Sequence, residues 1–332
     1  MLETRTLGKT ELQVTRLGLG MAALGRPGYI NLGHASDLSG NYQVVAMETN
    51  AHAVLDAAYQ AGLRYFDAAR SYGLGEAFLA NWLNLRGIAP EEVCVGSKWG
   101  YTYTANWEID AKHHEIKEHS IEVLDRQWRE SRELLGNQLN LYQIHSATLD
   151  SGVMQNPAVL SRLAQLKSQG TAIGFSVSGE RQAEVIEKGL SLLIDGIPLF
   201  DSVQATYNVL ETSTAGILQG AHADGVGVIV KEALANGRLT SRNAAPDFQR
   251  QMGLLKQQAD RLDTTIDAFA LAAILAQPWA DVVLSGAATV AHLESNQAAA
   301  SVVWDDEAGE ITSSLNEDPQ RYWKVRSQLA WN

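Results

Sequence analysis

The feature that most constrains the fold is a regular alternation, along the whole chain, of short apolar runs and longer helix-like segments. Each run is four to six residues long and mostly aliphatic or β-branched, which is typical of buried parallel strands. Eight strands are predicted in this way, at residues 15–20, 64–67, 93–98, 141–145, 172–176, 202–205, 227–230 and 282–285.

Eight strands alternating with eight helices predict a (β/α)8 TIM barrel, a fold that typically needs about 250 residues. The chain has 332 residues. We therefore expect a single domain, 1–332, with an N-terminal β-hairpin (5–7 with 13–14) and a C-terminal extension from residue 304. Long loops are expected after strand one (21–50) and strand three (99–114), the second followed by a helix at 115–135.

The alternative fold is an open doubly wound sheet, whose first helix opens on a G-x-G-x-x-G phosphate signature. Gly18 and Gly20 begin with the right spacing, but Ala23 stands at the third position and a long polar loop follows. The barrel is therefore favoured.

The charge balance argues against several classes of partner. The chain carries 38 acidic and 26 basic residues, a formal net charge of −12, so a nucleic-acid or anionic-membrane partner is not expected. The single cysteine, Cys94, forms no internal disulfide, and we expect no metal site. With no apolar signal-peptide core and no membrane-length apolar stretch, a cytoplasmic protein is expected.

Four polar residues lie at or just after consecutive strand ends, where barrels of this kind carry their chemistry. Asp67, Lys98 and His145 close the second, third and fourth predicted strands, and Tyr72 follows Asp67 by five residues. Each alone is more typical of a structural role, such as a helix cap or a buried ion pair. Their conjunction favours a shared pocket at the barrel mouth.

These four groups fit the reduction of a carbonyl compound. A lysine ammonium paired with an aspartate would lower the pKa of a nearby phenol from its reference value near 10, and a neutral histidine would orient the substrate oxygen. No side chain carries a hydride, so a nicotinamide cofactor would have to supply it.

The segments that hold these residues resemble the aldo/keto reductase superfamily. Residues 65–73 are similar to its F-D-T-A-x-x-Y-G segment, residues 97–100 to its T-K-x-G and residues 143–146 to its L-H segment. Residues 7–20 are similar to its L-G-x-T-x-L-x-V-S-x-L-G-L-G opening. The similarity continues in order to about residue 300.

The resemblance implies an NAD(P)H-dependent oxidoreductase that reduces an aldehyde or ketone to an alcohol, or catalyses the reverse oxidation. Tyr72 would be the general acid/base, Lys98 and Asp67 the pair that tunes it, and His145 the residue that orients the substrate. The cofactor would lie extended across the barrel mouth.

The resemblance also implies a set of cofactor-binding residues. Ser176 matches a serine that contacts the carboxamide, although Val177 replaces the usual asparagine, and Gln204 lies in a segment similar to the family's V-Q-x-x-Y-N. Lys231 stands where an aromatic residue that stacks on the nicotinamide is common. The full set is Gly20, Met21, Ser176, Gln204, Lys231, Leu234, Asn236, Gly237, Gly286, Thr289, His292 and Asn296.

The choice between NADP and NAD stays open at this point. Family members that select NADP usually place Lys or Arg in the segment that corresponds to 285–296, because a 2′-phosphate favours a charge-assisted contact. No Lys or Arg lies between residues 262 and 320, and Glu294 would repel a phosphate. His292 and the backbone amides of the last helix could still bind an anion.

Aromatic residues after the third strand and in the tail suggest an apolar substrate pocket. Trp99, Tyr101 and Trp107 are the pocket candidates, and the tail offers Trp323 and Trp331. Each of them could equally pack a loop onto the barrel rim. The expected partner is a small carbonyl or alcohol substrate; the oligomeric state is not predicted.

Two other functions remain open. One is a non-catalytic, cofactor-sensing binding subunit on the same fold. The other, less favoured, is a lyase in which Lys98 forms a Schiff base. The presence of all four strand-end residues favours the oxidoreductase.

Overall fold

Eight parallel strands form a closed barrel in the computed structural model, which describes residues 2–332. Consecutive strands are neighbours, and the eighth pairs with the first, Val283 opposite Leu17. This confirms the predicted (β/α)8 class. In chain order the barrel strands, numbered one to eight below, are Leu17–Gly20, Tyr65–Asp67, Cys94–Trp99, Leu139–Ala147, Ala172–Val177, Ser202–Thr206, Gly227–Lys231 and Val282–Ser285.

Helices surround the barrel and bury one face against it. Several begin where the sequence offers a side-chain cap: Ser120 and Thr265 accept a hydrogen bond from the backbone of the first turn, and Asn156 does so ahead of Pro157. The surrounding helices are Val44–Gln60, Gly75–Arg86, Ile121–Leu135, Pro157–Ser168, Gln182–Leu190, Ala215–Ala223, Gln249–Arg261, Ile266–Leu275 and Val290–Gln297.

The N-terminal hairpin pairs Thr4–Thr6 with Gln13–Thr15 and closes the bottom of the barrel. Its turn lies against the start of strand seven, where Lys9 N donates to Gly225 O at 2.8 Å. Gly8 has a φ of +55°, and a Cβ there would lie 2.4 Å from the nitrogen of Gly227. The turn therefore requires glycine.

The additions at the upper rim differ in detail from the sequence prediction. A long loop and a helix starting at residue 115 were expected after strand three. Instead Tyr101–Tyr103 pairs with Glu115–Lys117 in a hairpin, called the rim hairpin below, and the helix begins at Ile121. Several short elements complete the outline: the one-turn helix His34–Asp37, the pair Leu193–Ile194 with Ile197–Pro198, and the short helices at 136–138, 149–151, 153–155, 235–237, 246–248 and 298–301.

The C-terminal extension forms two helices, Asp306–Ser313 and Pro319–Ser327, and ends at the upper rim. There Asn332 and Tyr29 exchange backbone hydrogen bonds of 3.1 and 3.2 Å. The extension is thereby brought to the barrel end where catalytic chemistry is expected. Within residues 2–332, no helix has the length and apolar character needed to cross a membrane.

Candidate active site

Strands two and three end in a buried ion pair. Lys98 donates to Asp67 Oδ2 and, at 2.9 Å, to the carbonyl oxygen of Ala68. The other carboxylate oxygen accepts from Gln204 at 3.0 Å and from Tyr65 at 3.2 Å. The side chains of Lys98 and Asp67 are 0% and 2% exposed. A pair this deeply buried is stable only because each charge has several hydrogen-bond partners.

Tyr72 and His145 lie beside this pair. The Tyr72 hydroxyl is 3.5 Å from Lys98 Nζ, and the rings of Tyr72 and His145 meet edge to face with centroids 5.5 Å apart. His145 Nδ1 is also 3.4 Å from the hydroxyl of Ser71. The structure thus brings together the four residues that the sequence predicts at the strand ends.

The pKa of Tyr72 is shifted in the direction opposite to the sequence expectation, whereas the expected neutral His145 agrees with the structure. Burial, followed by the negative charge of Asp67, raises the pKa of Tyr72, whereas we expected Lys98 to lower it. Desolvation of the phenolate therefore outweighs the attraction of the ammonium. Burial and the positive charges of Lys98 and Lys231 lower the pKa of His145 well below its usual range. At neutral pH the site presents a neutral phenol and a neutral imidazole.

A cavity of about 980 Å³ opens beside Asp67, Tyr72 and His145 and extends over strands seven and eight. Most residues that the resemblance assigns to the cofactor line it: Gly20, Gln204, Lys231, Leu234, Asn236, Gly237, Gly286, His292 and Asn296.

Three of the predicted cofactor residues do not line this cavity. Met21 is buried, and its amide donates to the Asp67 carbonyl at 2.8 Å. Ser176 is also buried, and its hydroxyl accepts from the Ser146 amide at 2.8 Å. Thr289 caps the helix Val290–Gln297.

The three predicted pocket aromatics separate in the structure. Tyr101 lines the cavity, with its ring centroid 4.9 Å from that of His145. Trp99 is fully buried against His119. Trp107 packs on Phe78 outside the cavity lining. The position of Trp99 follows from strand alternation, because Lys98 points to the barrel mouth and its neighbour must point to the helices.

Sequence reasoning missed a polar group at the same end of the cavity. Arg26, whose side chain is 4% exposed, pairs with Glu115 of the rim hairpin at 2.9 Å. Glu232, after strand seven, pairs with Arg326 of the last helix at 2.6 Å. Loops and the extension bring these residues together, and their positions have no fixed spacing relative to the strands.

Part of the cavity is covered by a segment of the loop after strand one, residues 29–32. Leu32 N donates to the Asn236 carbonyl at 3.1 Å, and Asn236 Nδ2 donates to the Ile30 carbonyl at 2.9 Å. A Cβ on Gly237 would lie 3.0 Å from Asn31 and Leu32. Glycine is needed there for this close approach.

The far end of the cavity contains cations that lie outside the segment 285–296. Arg242 Nη2 lies 2.8 Å from Nε2 of His292. The same guanidinium forms an ion pair with Asp37, which lies in the loop after strand one. Burial lowers the pKa of His292, so its ring is neutral at pH 7. Two cations from outside this segment line this part of the cavity: Arg242, which Asp37 balances, and the exposed Lys256.

The comparisons with known proteins agree with this architecture. The model of the aldo/keto reductase family matches residues 16–317. The aldo-keto reductase str7 of Strobilurus tenacellus is 24% identical, covering 96% of this chain and 93% of that protein. The NADH-specific methylglyoxal reductase of Escherichia coli (strain K12) is 25% identical, covering 95% and 98%. The holo form of an aldo-keto reductase from Bacillus halodurans superposes with a TM-score of 0.73 at 22% identity, over 95% of this chain and 96% of that one.

The chain therefore belongs to the aldo/keto reductase family. It is an oxidoreductase built on the (β/α)8 barrel.

Replacing one partner of the buried Lys98–Asp67 pair tests how much the pair contributes to the free energy of unfolding. We expect Asp67→Asn to lower the free energy of unfolding by about 3 kcal/mol, because the Lys98 ammonium is left buried without a carboxylate. Urea denaturation followed by far-UV circular dichroism measures the change.

The matched control is Asp125→Asn, which removes the partner of Arg162 at a carboxylate that is 47% exposed. Its expected cost is below about 1 kcal/mol, because solvent screens the pair. Equal losses in the two variants would contradict the account.

Proposed function

We propose that the protein reduces the carbonyl group of a small aldehyde or ketone to an alcohol, or catalyses the reverse oxidation, with a bound NAD(P) cofactor. The proposal rests on one observation: Tyr72, His145 and the Lys98–Asp67 pair meet at one end of a cavity that continues to the helix Val290–Gln297.

The side chains divide the acid–base work. The neutral Tyr72 phenol donates its proton to the carbonyl oxygen as negative charge develops there. Lys98 Nζ, 3.5 Å from the Tyr72 oxygen, stabilises the phenolate that remains. The neutral His145 ring hydrogen-bonds the same substrate oxygen and fixes its position. A bound nicotinamide supplies the hydride that no side chain carries.

The remote end of the cavity fits the phosphates of a dinucleotide. Gly286 is exposed, and a Cβ there would meet no atom within 4 Å, which leaves room for a close approach. The amides of Val290 and Ala291, at the start of the eight-residue helix Val290–Gln297, have no acceptor within residues 2–332. Such amides and the positive end of the helix dipole favour an anion.

The charges at this end support NAD as well as NADP. Arg242 and Lys256 are the cations available to contact a 2′-phosphate, but Asp37 already neutralises Arg242, and Lys256 is exposed to solvent. The neutral His292 ring adds no charge. One relative is named as NADH-specific. We infer that the protein binds NADH and NADPH with dissociation constants within about tenfold of each other, since one paired arginine and one solvent-exposed lysine add little selectivity.

The structure gives no support to the Schiff-base alternative. Lys98 is fully buried, and its Nζ donates hydrogen bonds to both Asp67 and Ala68. The nitrogen is therefore not presented to a substrate as a nucleophile. Turnover of any carbonyl substrate with NAD(P)H would also exclude a purely cofactor-sensing subunit.

Removing the Tyr72 hydroxyl tests the proposed acid. We expect Tyr72→Phe to lower kcat/KM for aldehyde reduction about a thousandfold, because the phenol stabilises the transition state. The dissociation constant of the cofactor, from tryptophan fluorescence titration, stays within about twofold.

Tyr59→Phe is the control, since Tyr59 binds Glu92 on the outer surface at 2.7 Å. It should leave both quantities unchanged. If Tyr72→Phe weakened cofactor binding as much as turnover, the role of the residue would be structural and the proposed acid would be wrong.

Asp37→Asn tests the account of cofactor choice. The substitution removes the charge that neutralises Arg242, so the guanidinium is free to bind a 2′-phosphate. We expect the affinity for NADPH to rise about fivefold relative to that for NADH, measured by fluorescence titration at low ionic strength. Asp56→Asn, on the outer surface beside Arg86, should not change the ratio. A ratio that stays the same or falls in Asp37→Asn would contradict the assignment.

A further inference from the structure

Two arginine–glutamate pairs at the substrate end of the cavity are not used by the mechanism above. Arg26, Glu115, Glu232 and Arg326 all line the cavity. Each pair joins elements that are distant in sequence: the loop after strand one with the rim hairpin, and strand seven with the last helix. They lie close to Tyr72: the charge of Arg26 lowers the pKa of the Tyr72 phenol, and the charges of Glu115 and Glu232 raise it.

Arg26 is held against Tyr72 with part of its hydrogen-bonding capacity unused. Its Nη1 donates to the Ser71 carbonyl and to Glu115 Oε2, both at 2.9 Å. Its Nη2 has no acceptor, and its Nε is buried without one, within residues 2–332. Its Cζ lies 5.3 Å from the centre of the Tyr72 ring. A guanidinium N–H donor is therefore available beside the ring of Tyr72, the proposed acid.

Glu115 supplies the complementary acceptor. Its side chain is 22% exposed, and Oε2 is occupied by Arg26. Its Oε1 has no donor within the described part of the chain. The Arg26–Glu115 pair thus offers one free donor, Arg26 Nη2, and one free acceptor, Glu115 Oε1, to a molecule bound beside Tyr72.

Aromatic rings form the walls around this pair. Arg26 Cζ lies 4.7 Å from the Trp331 ring centre and 5.7 Å from that of Tyr29. Trp331 in turn stacks on His114, with ring centroids 4.1 Å apart and planes 3° from parallel. The indole is therefore held as a fixed flat surface next to the polar pair.

We propose that the Arg26–Glu115 pair determines specificity for carbonyl substrates that carry a hydroxyl group next to the carbonyl carbon. The inference rests on the proposed function, because it places the substrate carbonyl at Tyr72. The substrate hydroxyl donates to Glu115 Oε1 and accepts from Arg26 Nη2, and the carbon chain packs on Trp331.

The chemistry of the pair discriminates against two other substrate classes. An unsubstituted alkyl aldehyde displaces water from a donor and an acceptor without replacing its hydrogen bonds, which is unfavourable. A 2-oxo acid presents a carboxylate to Arg26, but the negative charge of Glu115 opposes it. A hydroxyl satisfies both groups, because it is donor and acceptor at once.

The test compares glyceraldehyde with propanal, which lacks the hydroxyls, using rates corrected for aldehyde hydration. We expect kcat/KM of the native protein to be at least about tenfold higher for glyceraldehyde. Arg26→Met and Glu115→Gln should each reduce this selectivity ratio by about tenfold, mainly through the KM for glyceraldehyde. Arg162→Met, which removes an arginine paired with Asp125 on the outer surface, should leave the ratio unchanged.

A binding measurement separates this inference from the proposed function. Saturable quenching of tryptophan fluorescence by threitol, and its absence with butan-1-ol, is expected with NAD present, and it should be lost in Glu115→Gln. If no aldehyde is turned over but threitol binds in this way, the proposed reduction fails and the hydroxyl-binding pair stands. The inference would be overturned if the native protein showed no preference for glyceraldehyde or had a higher kcat/KM for 2-oxobutanoate. Threitol binding that survives in Glu115→Gln would overturn it as well.

Discussion

The buried pair of Lys98 and Asp67 is the interaction on which the rest of the site depends. Strands two and three must end in register for the Lys98 ammonium to meet the Asp67 carboxylate. In addition, Tyr65 and Gln204 must donate to the other carboxylate oxygen from inside the barrel. The pair then fixes the charge beside Tyr72. Burial keeps the Tyr72 phenol neutral. In the proposed mechanism the ammonium therefore acts on the phenolate only when the proton leaves, which is when stabilisation increases the rate.

The sequence predicts the barrel and the four strand-end residues for the same physical reason. Buried parallel strands must be short and apolar, and the polar residues that interrupt them at one end stand out. The rim hairpin is not predictable in this way, since 101–103 and 115–117 show no strong apolar alternation. Arg26 and Glu115 are likewise missed, because only the folded loops bring them together.

The upper rim of the barrel holds both ends of one cavity, which we propose to bind the substrate and the cofactor, and it includes elements outside the eightfold repeat. The loop after strand one supplies Arg26 and Asp37 to opposite ends. The extension supplies Trp331 and Arg326, and Asn332 holds the loop through its hydrogen bonds with Tyr29. In the proposed function the barrel strands and the segment just after strand two supply the catalytic groups, whereas the loop after strand one and the extension determine which molecules bind beside them.

The pH dependence of single-turnover reduction, with saturating NADH and aldehyde, tests the central claim most directly. The proposed reduction needs a protonated Tyr72, whose raised pKa keeps it protonated well beyond neutral pH, and a neutral His145, whose lowered pKa keeps it neutral at and just below neutral pH. The account predicts a rate constant that is flat from about pH 6 to pH 7, below the region in which Lys231, whose pKa burial lowers to about 8, loses its charge. A rate constant that falls through this range as the pH rises, as for an acid with a depressed pKa, would contradict it.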